Sequence, residues 1–147
     1  MPMDTSVVVS VIAAASGVIV AAISFFLTKK REREADWRKY KYEQYKEFMV
    51  SISGIVSGDA TSEGNRIFAK ASNTLHLIGS KGVLDALHAF QDETRSSNPN
   101  RSLGKADDLL SKLVWEIRKD IEIPGTPDEP EFTVKLWSSG TTPKSRR

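Results

Sequence analysis

The chain contains no cysteine and only two histidines, His76 and His88. Without cysteine there is no disulfide framework and no thiolate to act as nucleophile or metal ligand. The absence suits a reducing compartment. The two histidines stand twelve positions apart, with no His-x-x-x-His or Glu-x-x-His spacing, so each reads as a surface or half-buried side chain and no metal site is expected. Catalytic signatures are missing as well. There is no nucleophile elbow and no glycine-rich phosphate loop after a strand. Gly79-Ser80-Lys81-Gly82 lacks the length and the strand for such a loop and reads as a turn between helices. Neither an enzyme nor a bound cofactor is expected. Charge is missing from one long stretch: Thr5 to Leu27 is 23 consecutive positions without Asp, Glu, Lys or Arg.

That uncharged run dominates what is present. As a helix it is about 34 Å long, against about 30 Å for the hydrocarbon core of a bilayer. A cleaved signal peptide would carry basic residues ahead of a shorter apolar stretch. Here only Met1-Pro2-Met3-Asp4 precede the run, and the first basic residue is Lys29. The run therefore reads as a transmembrane helix over 5–28, after a short extracytoplasmic N-terminus, 1–4. Eight basic residues fall between Lys29 and Lys46, including Lys29, Lys30, Arg31 and Arg33 at the membrane surface. This asymmetry places the N-terminus outside and the remainder in the cytoplasm of a bacterial inner membrane, as a single-pass protein. The basic cluster reads as topogenic and as a contact for anionic lipid, with no direct DNA binding expected. Interleaved acids, Glu32, Glu34, Asp36 and Glu43, dilute it.

Residues 29–123 read as a cytoplasmic helical bundle, and the fold class as all-α. Trp37, Tyr40, Tyr45, Phe48, Met49, Ile52, Ile55 and Val56 recur at three- and four-residue steps, with no Pro or Gly between Leu27 and Ile52. One helix thus leaves the bilayer and runs to about Val56, so that span and bundle would move as one lever. Ser57-Gly58-Asp59 supplies a stop and a new cap. A second helix is expected over Thr61–Ile78, facing inward with Ile67, Phe68, Ala71, Leu75 and Ile78. Gly79 ends it, and Ser80 caps a third over Lys81–Thr94, with Val83, Leu84, Leu87 and Phe90 inward. A fourth covers Lys105–Ile121, with Leu109, Leu110, Leu113, Val114, Ile117 and Ile121 on one stripe. Four such helices on short loops suggest an antiparallel bundle. Residues 124–147 read as a mobile tail rich in Pro, Gly, Ser, Thr and charge. Within it, the alternation of Phe132, Val134 and Leu136 fits a short strand or docking element, or equally a segment folded back on its own bundle.

Two sets of residues carry the functional expectations. On a helical wheel, Ser6, Ser10, Ala13, Gly17, Ala21, Ser24 and Thr28 share an arc of about 80°. All are small or hydroxylated, which suits close helix packing in a membrane: with a second copy, with another membrane protein, or around a pore. Self-association needs no unseen partner. Elsewhere, Arg66, Lys70, His76, Arg118 and Lys119 are the candidate ligand-binding residues. Arg66 and Lys70, one turn apart, could hold a phosphate, although exposed basic pairs at this spacing are common on solvated helix faces. A four-helix bundle also invites comparison with the HEPN ribonucleases, whose motif sets an Arg a short step before a His. Here Arg66 precedes His76 by ten positions, which disfavours that chemistry.

The stretches Leu77-Ile78-Gly79-Ser80-Lys81-Gly82-Val83-Leu84-Asp85-Ala86-Leu87 and Leu113-Val114-Trp115-Glu116-Ile117-Arg118-Lys119-Asp120 resemble those of small bacterial proteins with one N-terminal span and a cytoplasmic helical domain, mostly uncharacterised. The architecture is similar to that of CRISPR-associated membrane effectors: the pore-forming accessory of type VI systems and a cyclic-oligoadenylate-activated membrane effector of type III systems. The resemblance implies a homo-oligomeric membrane protein whose bundle senses a ligand or partner, such as a nucleotide second messenger or a defence protein. It would then alter membrane permeability in antiphage defence. A passive anchor or scaffold that recruits a cytosolic complex is the alternative. Fold-level likeness alone establishes neither.

Overall fold

Helix formation meets no interruption through the first third of the chain, and the structure follows it. The computed structural model describes residues 4–55, 60–128 and 131–137. Among these there are four α-helices and no strand. α1 spans Thr5–Ile52, α2 Ser62–Ile78, α3 Lys81–Thr94 and α4 Leu103–Asp120. The chain divides into two units, Met1–Lys39 and Tyr40–Arg147.

In the first unit every described residue except Val8 is exposed. α1 is long and apolar enough to cross a membrane, and none of its most apolar stretch is buried within the protein. A core helix of a soluble protein would have that surface covered.

The second unit has one apolar core. Tyr45, Phe48 and Ile52 of α1 meet Leu75 and Ile78 of α2. Val83, Ala86, Leu87 and Phe90 of α3 join them, with Leu110, Leu113 and Ile117 of α4 and Ile121 beyond it. Phe68 links two of these helices through its neighbours, with ring centroids 5.7 Å from Phe48 and 6.4 Å from Phe90. Full burial of side chains such as Leu75 and Leu113 stabilises by roughly 1.5–3 kcal/mol each. The expected apolar face of α1 is shorter than its periodicity suggests. Trp37 and Tyr40 are about half exposed, and the core begins at Tyr45. Large aromatic rings with a polar edge tolerate that position. Ile67, expected inward, is half exposed, while Ser72 is fully buried on the same helix.

Each of the three later helices opens on a hydroxyl cap. Thr61 accepts from the Gly64 amide at 2.9 Å, Ser80 from Val83 and Ser102 from Lys105, both at 3.5 Å. The cap of α2 is therefore Thr61, after the Ser57-Gly58-Asp59 stretch that the sequence offered for a stop and cap. Residues Val56 to Asp59, which carry the expected stop, lie outside the described residues. Gly79 ends α2 and donates its amide to the Leu75 carbonyl at 2.7 Å. The turn reading of Gly79-Ser80-Lys81-Gly82 holds.

Two glycines are there for space. The turn after α1 crosses the start of α2 so closely that a Cβ on Gly64 would lie 2.1 Å from the Gly54 carbonyl oxygen. A Cβ on Gly82, in the first turn of α3, would lie 2.4 Å from a Glu116 carboxylate oxygen. α3 has no acidic residue in its own first turn. Glu116 of α4 brings a negative charge to that helix end, where the exposed amides favour one.

After α4 the chain turns back along that helix. Trp115 Nε1 donates to the Pro127 carbonyl at 2.8 Å, and the Val134 amide donates to Ser111 Oγ at 3.0 Å. The Arg118 guanidinium lies 5.6 Å from the Phe132 ring centre. Phe132 and Val134 are half-buried, whereas Leu136 and Trp137 are exposed. Within the expected tail, Pro127, Phe132 and Val134 thus make contacts to α4. The alternating segment is not a strand but an extended stretch folded back on its own domain.

Candidate functional site

The span face follows from the helix. Ser6, Ser10, Ala13, Gly17, Ala21, Ser24 and Thr28 all lie in α1 and are all exposed. Ser10 Oγ donates to the Ser6 carbonyl at 2.7 Å, and Ser16 Oγ to the Ile12 carbonyl at 2.8 Å. A hydroxyl that satisfies its proton within its own helix carries little cost in an apolar surround. A Cβ on Gly17 would meet nothing within 4 Å. The chain itself therefore gives no packing reason for a glycine there.

The basic collar is partly neutralised along the same helix. Lys29 pairs with Glu32 at 2.7 Å and Lys30 with Glu34 at 3.8 Å. Arg33 Nε donates to the Lys29 carbonyl at 3.4 Å. All these side chains are exposed, where such pairs are worth little and exchange readily for phosphate oxygens.

The five candidate ligand residues separate into two groups. Arg66 is exposed and pairs with Glu63 of its own helix at 3.3 Å. Lys70 is exposed and its carbonyl accepts from Thr74. His76 meets His88 of α3, Nε2 to Nε2 at 3.0 Å. Arg118 and Lys119, in the last turn of α4, turn instead toward the returning chain. Lys119 Nζ sits 4.7 Å from the Trp115 ring centre and 3.8 Å from Glu116. Arg118 lines a cleft of about 290 Å³ with Tyr42, Tyr45, Met49, Ile117 and Phe132, and its buried Nε has no hydrogen-bond partner among the described residues. A shallower cleft of about 410 Å³ lies beyond Lys119, beside Trp115 and Pro127. Among the described residues the α2 group and the α4 group are thus on separate helices with separate partners.

Lys41, Tyr45 and Asp120 form a largely buried polar network whose pairing sequence reasoning missed. Asp120, at the end of α4, accepts from Lys41 Nζ at 2.7 Å and from the Tyr45 hydroxyl. The Lys41 and Asp120 side chains are only 14% and 9% exposed. Burial pushes the Tyr45 phenol far above its usual range, and the Asp120 carboxylate adds to the shift. The pairing joins positions more than seventy residues apart, which no local spacing could announce. Its place at a helix junction makes it a structural clasp.

A second clasp fixes the loop between α3 and α4. Glu93, 4% exposed, accepts from Lys105 Nζ at 2.7 Å and from the Ser102 amide at 2.8 Å. The Lys105 ammonium, and after it the Ser102 amide, hold its carboxyl below the usual carboxylate range. Among the described residues no group of three or more His, Asp or Glu side chains is placed to hold a metal ion. No family model, no curated protein and no solved structure matches the chain.

Proposed function

We propose that this chain is a non-enzymatic single-pass protein of a bacterial inner membrane. Its N-terminus is outside and its helical domain, a four-helix bundle, is in the cytoplasm. Copies associate through the small-residue face of the span. The bundle binds a ligand or a partner, α1 carries the change to the span, and membrane permeability changes, as in an antiphage response.

One observation carries this reading. None of the most apolar stretch of α1 is buried among the described residues, and the same helix continues without a break into residues that form the core of the domain. The small-residue face supports the oligomer. A Cβ on its glycine would meet nothing within 4 Å among the described residues, and small residues are what permit membrane helices to approach closely. Crosslinking in native membranes, followed by an ion-leak assay on expression, tests it. Oligomers accompanied by leak are expected. Monomer alone, with no leak under any condition, contradicts the reading.

The scaffold reading also has an observation in its favour. Leu136 and Trp137 are both exposed at the end of the returning segment, where a docking element over Phe132 to Trp137 would present them to a partner. Replacing the span with an unrelated membrane anchor separates the two readings. A scaffold keeps working; a protein that acts through its span does not.

A further inference from the structure

His76 is one of the candidate ligand residues, and the structure pairs it with His88, which is not. His76 lies in the last turn of α2 and His88 in the second half of α3. Each follows a leucine that is fully buried, Leu75 and Leu87. Those leucines fix where the two backbones stand, and α2 and α3 so placed bring the imidazoles within reach of each other. Both rings are exposed, their centroids are 5.2 Å apart, and they are tilted by 32°. Their Nε2 atoms are 3.0 Å apart.

We propose that His76 and His88 form a two-histidine chelate for a late first-row divalent metal ion such as Cu²⁺, Ni²⁺ or Zn²⁺. The distance is the first argument. With metal–nitrogen bonds of about 2.0–2.1 Å, two imidazole nitrogens sit about 2.9 Å apart on adjacent corners of a square plane and about 3.3 Å apart on a tetrahedron. The observed 3.0 Å lies between these values, and it is also a hydrogen-bond length: with centroids 5.2 Å apart the two nitrogens face each other in line, so each exposed ring turns for both lone pairs to meet one ion. Proton chemistry is the second argument. At this separation one Nε2–H donates to the lone pair of the other Nε2. A metal ion displaces that shared proton and takes both lone pairs, with each ring then carrying its hydrogen on Nδ1. Exposure is the third. A hydrated ion reaches the pair without opening the core, and water fills the remaining coordination positions, since no third His, Asp or Glu ligand is placed beside the pair among the described residues. Imidazole donors select copper, nickel and zinc over magnesium and calcium, which prefer oxygen.

The test uses the full chain in detergent, purified without a histidine tag, with Cu²⁺ as probe because it binds most tightly in the divalent series. Electron paramagnetic resonance and calorimetric titration are run on wild type, His76→Gln and His88→Gln. Both substitutions are at exposed positions, and circular dichroism confirms that each variant is folded. Wild type is expected to show a copper spectrum split by two imidazole nitrogens. Each single variant is expected to bind more than about tenfold more weakly, because the second donor no longer acts at high effective concentration. A matching rise in melting temperature with Zn²⁺, present in wild type and lost in both variants, follows from binding to the folded state alone. The proposal is overturned if wild type fails to bind Cu²⁺, or if either variant binds it as tightly as wild type does.

Discussion

Gly64 and Glu93 show how single residues hold the domain. A methyl group on Gly64 meets the Gly54 backbone, and neither chain can yield without moving the start of α2 or the turn after α1. Gly64→Ala is expected to cost about 1–3 kcal/mol, the usual range for overpacking, read as a lower melting temperature of the full chain in detergent. Glu93 gives a pH signature. Its carboxyl is held low in the folded state by Lys105 and the Ser102 amide, so the unfolded chain binds its proton more readily. The stabilisation is complete above the unfolded carboxyl value, about pH 4.3, and is lost as pH falls below it through the folded value. Glu93→Gln should therefore lower stability at neutral pH and flatten the acid limb of a stability-against-pH curve. An unchanged acid limb would contradict the assignment. Neither role could be read from the sequence. Gly64 sits inside an ordinary helical pattern, and Glu93 meets partners only after the chain has turned.

At the scale of elements, the helices were legible because each carries its own punctuation. Ser80 and Gly79 lie where a cap and a stop are needed, and the apolar stripes of α3 and α4 fall at three- and four-residue steps. What was illegible is what depends on distant partners. Asp120 reads as a charge at a helix end, but it is buried because Lys41 and Tyr45 approach it. Phe132 and Val134 alternate as a strand would, yet with no strand beside them they lie along α4. The histidines, twelve apart in sequence, meet only because α2 and α3 pack. For the span, periodicity gave a face but not its occupant. Gly17→Leu has free space within the chain, so it should leave the domain folded. It should reduce crosslinked oligomer in native membranes by about tenfold or more if close helix packing is lost, which corresponds to about 1.4 kcal/mol. Equal crosslinking in wild type and variant would remove this face from the interface.

For the whole molecule, the account rests on one physical asymmetry. An uncharged helical stretch is followed at once by a basic cluster, and its apolar surface is exposed among the described residues. The absence of cysteine makes this directly measurable, since any introduced thiol is unique. Asp4→Cys and Trp137→Cys place that thiol at exposed positions before the span and after the helical domain. The decisive measurement is labelling of each variant with a membrane-impermeant maleimide, in spheroplasts with an intact inner membrane and again after lysis. The account predicts that Cys at position 4 labels in intact spheroplasts and Cys at position 137 only after lysis, with both proteins resisting alkaline extraction from the membrane. Labelling of position 137 from outside, or release of the protein by alkali, would contradict it.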